Sequence, residues 1–455
     1  MEKTEKLPGS QYEQMIGVPI TKLLWRLSIP AIISMMITNL YNIVDTAFVG
    51  LLGTSESGAT GVVFSFMSIL QAVAFMCGQG SGSILARKLG KQETDEATKN
   101  ASTGFFLSFC LGLILSILTF IFIKPLLYVL GSTDTIYPYA KIYITYIALA
   151  APFFTSSLTL NNILRYEGKA KLGTVGMMVG AILNIALDAI FMFVFSMGIA
   201  GAALATAISQ IVSFCLLLYM FISGRTQTKI SLKHIARAKK DHFNILATGF
   251  PSCLRQALTS VASMLLNQCA RVYGDAAVSA FSCVSKISFF SMAIAIGIGQ
   301  GFQPISSFNY GAGKTARVKK AFLTAILAEE IVLIVLSIPM YIFAPSLIML
   351  MRNDPAVIEI GVRVLRLTCI GTLFLPIGMM IEMGFQSIGS KFLAAICSSF
   401  RSGIVLIPTL LILARYRGLA GVQEAQPLSY VIAFVICLFF CKIYLKRLSS
   451  GKNAE

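Results

Sequence analysis

The chain has 455 residues, of which 56 % are hydrophobic and only 13 % charged, and a formal net charge of +17; its mean hydropathy is +0.78. Soluble domains carry ~25 % charged residues, and so few charges cannot keep a chain of this length in water, which excludes a soluble enzyme, a disordered chain and a disulfide scaffold. Apolar runs of about 20 residues also exclude a β-barrel, whose strands alternate over about 10, and leave an all-α polytopic membrane protein, because helices satisfy their own backbone in lipid.

Residues 1–22 are polar, and the first apolar run continues to Gly50, longer than the apolar region of a secretory signal, so we expect it to remain as a span. Twelve runs are long enough to cross a hydrocarbon core of about 30 Å: 23–50, 57–84, 99–123, 138–164, 172–195, 198–222, 244–272, 277–303, 318–343, 360–387, 392–413 and 425–446. The connectors alternate in charge. One side holds Lys3, Lys6 and Lys22; Arg87, Lys88, Lys91 and Lys99; Arg165, Lys169 and Lys171; Lys314, Arg317, Lys319 and Lys320; and the tail residues Lys442, Lys446 and Arg447. It also holds a long basic connector with Arg225, Lys229, Lys233, Arg237, Lys239 and Lys240. The other side has little beyond Lys124, Arg271, Arg352, Arg415 and Arg417. This is the positive-inside pattern; it places both termini in the cytoplasm and accounts for the net charge without nucleic acid.

The sequence also repeats. An offset of 221 carries Pro30 onto Pro251, Gly78-Gln79-Gly80 onto Gly299-Gln300-Gly301, Gly90 onto Gly311 and Gly168 onto Gly389. At an offset of 220, Gly198-Ile199-Ala200-Gly201 matches Gly418-Leu419-Ala420-Gly421. One offset held along the chain marks a duplication. With six spans per half the repeats run parallel, a transporter design with the substrate route between the halves. We therefore expect an N-lobe of residues 1–222, a basic cytoplasmic linker of 223–243 and a C-lobe of 244–455, related by a pseudo-two-fold axis.

Acidic side chains inside spans are costly and need a reason. Asp45 lies late in the first span, and Asp188 lies in the fifth with Asn184 one turn before it on the same face. At 1.5 Å per residue both acids fall ~8–11 Å below the outer surface, near the level of Thr206 and Tyr143 in the sixth and fourth spans. Such oxygen ligands suit a proton or Na⁺, and two carboxylates in low dielectric tend to share a proton. Each Asp can alternatively tie helices together by hydrogen bonds. Pro30 and its repeat-mate Pro251 permit a bend in the first helix of each half, either a static kink or one used in transport.

The second half carries another charge set. Arg255, Lys286, Glu329, Glu330 and Arg401 fall roughly 14–17 Å deep, and Glu382 lies ~10 Å from the cytoplasmic side. Three bases and three acids can neutralise one another as internal ion pairs. Glu382 and Lys286, with Arg255 and Gln256, are the candidates for lining a cavity or gating it. The 32 Phe and 19 Met residues could line an adaptable apolar cavity as well as pack against lipid. Gly311-Ala312-Gly313-Lys314-Thr315 lacks the leading glycine and the preceding strand of a phosphate loop. The ten cysteines form no metal-spaced pair, and the two histidines, His234 and His242, both lie in the linker. No nucleophile–base set is present, so we expect no enzyme and no cofactor beyond a coupling ion.

The run from Pro30 through Tyr41-Asn42-Ile43-Val44-Asp45-Thr46-Ala47-Phe48-Val49-Gly50, the glycine-rich end of the second span before Arg87-Lys88-Leu89-Gly90, and the paired six-helix halves resemble the multidrug and toxic compound extrusion (MATE) transporters over the whole chain. The DinF-like and MepA-like bacterial branch fits best. The resemblance implies a secondary antiporter of the bacterial inner membrane, working as a monomer by alternating access and exporting bulky, often cationic drugs in exchange for H⁺ or Na⁺. It further implies that Asp45, Asn184, Asp188 and Thr206, with Tyr143, form the N-lobe proton or Na⁺ site. The sequence departs from the NorM-like branch, which has an acid in the seventh helix where this chain has Arg255-Gln256, and Glu382 is not at the usual position of the helix-ten partner. A lipid-linked oligosaccharide flippase of the same superfamily is the alternative. Twelve spans and two outer-half carboxylates favour the exporter. The duplication and buried acids disfavour a receptor or scaffold, and residues 82–91 lack the Asp of the major-facilitator loop pattern.

Overall fold

Each apolar run folds as a helix because only intrahelical hydrogen bonds satisfy its peptide groups in lipid. The computed structural model describes residues 11–450, with no strand among them; Lys3 and Lys6 lie outside the described residues, as does the side chain of Asn42. After a short helix Gln11–Gly17 come α1 (Ile20–Gly50), α2 (Thr54–Gly90), α3 (Thr94–Ile121), α4 (Tyr137–Tyr166), α5 (Ala170–Ala189) and α6 (Ile199–Ile222). The second series is α7 (Lys239–Arg271), α8 (Asp275–Gly311), α9 (Thr315–Ile342), α10 (Pro355–Thr372 continued by Leu375–Ser387), α11 (391–417) and α12 (419–450).

Among the described residues, nine helical stretches are long and apolar enough to cross a membrane unaided, or ten when the two legs of α10, bent by 51°, are taken as one span. The other two of the expected twelve have physical explanations. α7 carries Arg255, Gln256, Asn267 and Gln268, which lower its apolarity. α11 and α12 form one stretch of 59 residues, ~90 Å at 1.5 Å per residue and far longer than one crossing. That stretch breaks at Gly418 (φ 61°, ψ −139°). Its repeat-mate Gly198 (φ 57°, ψ −137°) opens α6 in the same conformation. An L side chain resists this region, so the glycine is the residue that permits the turn.

The helices pack into two units. The first comprises Ile33–Cys253; the second comprises the described residues up to Ile32 together with those from Leu254 onward. The dividing points fall inside α1 and α7, two residues after Pro30 and Pro251. In the first unit α4 is central, packing on α2, α3, α5 and α6. Its apolar stretch is 72 % buried, against 33 % for the peripheral α3.

The early part of α7 belongs to this unit because glycines let it approach α2. A Cβ on Gly249 would fall 1.7 Å from the Met76 carbonyl oxygen, and one on Gly80 2.2 Å from that of Ile245. The Ser252 hydroxyl donates to Gln79 Oε1 at 2.6 Å beside them. In the second unit the early part of α1 meets α8 the same way. A Cβ on Gly301 would fall 2.7 Å from the Ser28 nitrogen, and one on Gly297 2.9 Å from that of Ile32. Small residues thus permit backbone contact at the two repeated glycine-rich segments. Arg317 fastens the chain ahead of α1 by donating to the carbonyls of Met15 (3.3 Å) and Val18 (2.8 Å).

The basic connector is docked on the first unit. Glu167, at the end of α4, accepts from the Gln227 and Thr228 amides (3.2 Å each) and from the Thr228 hydroxyl. Ser102 of α3 donates to the Lys229 carbonyl at 2.9 Å and accepts from the Ser231 amide at 3.2 Å. The Ala236 amide donates to Thr103 at 2.9 Å, and Lys99 pairs with Asp241 at 2.9 Å.

Candidate functional site

Four helices of the first unit bring the sequence-nominated oxygens together. α1 supplies Asp45, α4 Tyr143, α5 Asn184 and Asp188, and α6 Thr206. Tyr143 (2 % exposed) donates to Asp45 Oδ2 at 3.3 Å. Asn184 (2 % exposed) donates through Nδ2 to Thr206 Oγ1 at 3.2 Å. Asp188 is fully buried and receives no hydrogen bond on either oxygen, and Asp45 Oδ1 and Asn184 Oδ1 are also without donors. The two carboxylates act on each other electrostatically. Buried polar oxygens normally find donors, and these four lie without one. Directly after Asp188, α5 passes into a π-helical turn, Ile190–Val194, a local widening found frequently at functional positions.

Beyond Tyr41 lies a small open cleft lined by Thr38, Tyr41, Gln71, Phe154, Met177 and Gln210 among others. A narrow recess shares Tyr41, Met177 and Gln210 and reaches Asn184. Tyr41 interacts electrostatically with both Asp45 and Asp188. Cleft and acid cluster therefore share a wall. Among the described residues no three His, Cys, Asp or Glu side chains converge as a metal-holding group; oxygens from Asn184 and Thr206 complete the set that could hold Na⁺.

The MatE family model matches residues 30–190 and 251–412. The chain belongs to the MATE family. The two matched segments begin at Pro30 and Pro251, the repeat offset read from the sequence. MATE proteins are membrane transporters, not enzymes, and the fold agrees. The chain is 26 % identical to the multidrug export protein MepA of Staphylococcus saprophyticus, over 93 % of this chain and 94 % of that protein. It superposes with a TM-score of 0.92, at 27 % identity, on the outward-facing conformation of a multidrug resistance MATE transporter of the MOP superfamily, covering 98 % of this chain and 100 % of that one. A MATE in the bent conformation matches with a TM-score of 0.91 at 26 % identity, over 98 % and 99 %.

The second unit of this MATE places the remaining nominated residues differently. Glu382 of α10 is fully buried between two guanidiniums: Arg255 Nη1 donates to Oε1 at 3.2 Å, and Arg401 donates to Oε2 through Nε (3.2 Å) and Nη2 (3.1 Å). Gln256 is half-buried one residue beyond Arg255. Lys286 is exposed on α8 and makes no ion pair among the described residues. Pro30 and Pro251 are buried inside α1 and α7. Sequence reasoning missed Thr38, Gln71 and Gln210 and quoted Tyr41 only as part of a motif. One signal was available: Gln210 lies one turn beyond Thr206, on the same helix face.

Proposed function

We propose that this MATE protein is a multidrug exporter that passes organic, often cationic molecules outward in exchange for H⁺ or Na⁺ by alternating access, with both termini cytoplasmic. The observation that carries the reading is the fully buried Asp188, without a donor on either oxygen, acted on by Asp45 and one turn from Asn184, which lines a small recess. The multidrug-export names of its relatives support the substrate class.

In this reading a proton or Na⁺ entering from outside satisfies Asp188 and Asp45 together, with Asn184, Thr206 and Tyr143 supplying further oxygens. The loaded cluster removes the repulsion between the acids and lets α1 and α5 repack, changing the wall that they share with the cleft and releasing the drug. Loss of the ion to the cytoplasm restores the repulsion and reopens the cleft. Only a difference in ion affinity between the two states drives the shift. Pro30 and Pro251 let α1 and α7 bend where each passes from one packing unit to the other.

The test is ethidium export by purified protein in proteoliposomes, under an imposed pH gradient and separately under a Na⁺ gradient. Asp188→Asn should abolish export driven by whichever gradient drives the wild type. Undiminished gradient-driven export by that variant would remove the coupling role.

A further inference from the structure

Glu329 stands near the midpoint of α9, fully buried, with no hydrogen bond to Oε1 or Oε2. The charges acting on it are Arg401 of α11 and its neighbour Glu330, which is half-buried. Arg401 is already committed to Glu382 of α10, which also holds Arg255 of α7. Cys397 of α11 and Tyr430 and Cys437 of α12 face the same Arg401–Glu382 pair. α8, which also packs on α9, adds no charge acting on Glu329. Two guanidiniums against Glu382 leave one positive charge in excess. An ionised Glu329 cancels that excess; a neutral one leaves it. A buried carboxylate that no group donates to is strongly disfavoured as an ion, whereas the neutral acid is tolerated.

The duplication shows that this charge set is an addition to the shared frame. At the repeat offset of 221, Arg255, Glu329, Glu382 and Arg401 correspond to Ser34, Ser108, Asn161 and Gly180, all uncharged. Ser108, the counterpart of Glu329, is satisfied by the Thr159 hydroxyl at 2.8 Å. Conversely Asp45 and Asp188 correspond to Leu266 and Thr409. Each half thus carries ionisable groups where the other has none. The fifth helix of each half nevertheless contains a π-helical turn, Ile190–Val194 directly after Asp188 and Phe400–Ile404 around Arg401, the guanidinium that acts on Glu329.

We propose that Glu329 is a proton-binding site of the second unit, additional to the acids of the first, at which the proton and the Arg401 guanidinium replace one another. With the proton on Glu329, Arg401 stays on Glu382 as the structure shows. When the O–H bond breaks, its electron pair stays on the carboxylate, the proton passes to water, and Arg401 closes on Glu329 while Arg255 keeps Glu382. Because Arg401 sits in a π turn, α11 can follow its side chain towards α9.

The test uses infrared difference spectra of the full-length protein in proteoliposomes between acid and alkaline pH, read beside pH profiles of ethidium export. Glu329→Gln should lose one protonated-carboxyl band and one step of the pH profile, and Glu329→Asp should shift that band and restore the step. Asp188→Asn should keep the Glu329 band while losing export. If Glu329→Gln retains every carboxyl band, Glu329 does not exchange a proton and the proposal fails, whatever the variant's melting temperature. Loss of the band by Glu329→Gln together with full export by Asp188→Asn would sink the first-unit assignment and leave this one standing.

Discussion

Asp188 and Asp45 differ in how firmly the protein holds them, and that difference ranks the expected effects of substitution. Asp45 has a donor in Tyr143, at the long distance of 3.3 Å. Removing that hydroxyl loses one modest hydrogen bond, ~1 kcal/mol. Tyr143→Phe should therefore weaken ion coupling by about fivefold and leave maximal export nearly intact, read from the gradient needed for half-maximal ethidium efflux. Gln210 faces the cleft and is nominated for the drug. Gln210→Ala should raise the drug concentration for half-maximal export without moving the ion dependence; a shift in ion dependence alone would place Gln210 in the coupling cluster instead. The acids were legible in the sequence because a carboxylate in an apolar run stands out at once. Tyr41 and Gln210 were not, since hydroxyl and amide side chains recur along every span and only the packing shows which face a cleft.

Among the helices, the glycine contacts are the most exacting. The Cβ of Gly249→Ala would sit 1.7 Å from a backbone oxygen of α2, which no rotamer change relieves, so the helices must separate. We expect Gly249→Ala to cost at least ~1–3 kcal/mol, in the range of overpacking, seen as a clear fall in melting temperature in detergent. Gly61→Ala, with nothing near its Cβ, should be neutral by the same measurement. The prolines act on rate more than on stability: Pro30→Ala should leave drug binding intact and slow turnover several-fold, measured by comparing ethidium binding with export. Twelve spans could be counted from hydropathy, yet no hydropathy count shows that α11 and α12 run on with only Gly418 between them, or that α10 bends by 51°. The glycine signals were present; the repeat gave them meaning once Gly198 and Gly418 proved to share one backbone conformation.

Over the whole molecule, the connector expected as a basic linker of 223–243 packs as part of the first unit. Glu167 gathers two amides and a hydroxyl from it, and deleting a buried acceptor leaves donors unsatisfied at ~1–3 kcal/mol. Glu167→Ala should lower the melting temperature, with Glu167→Gln recovering part of the loss. The charge alternation predicts that alkaline phosphatase fused after residue 455 stays inactive while a fusion in the connector after α3 is active, which checks both proposed sides of the membrane. Duplication and helix number follow from periodicity, and the proposed orientation rests on charge alone. The packing exchange does not, because nothing in the hydropathy of α1 or α7 says which neighbour their early turns will meet.

That exchange has a consequence for assembly. The opening stretch of each half-chain is lodged in the other half's packing unit, α1 against α8 and α7 against α2. A ribosome that has released only the first six spans has therefore made a bundle whose leading segment has no seat, and whose α2 glycine groove stands vacant. Neither product of a gene cut in the connector should mature alone, whereas the two fragments made together should clasp each other and recover an exporter.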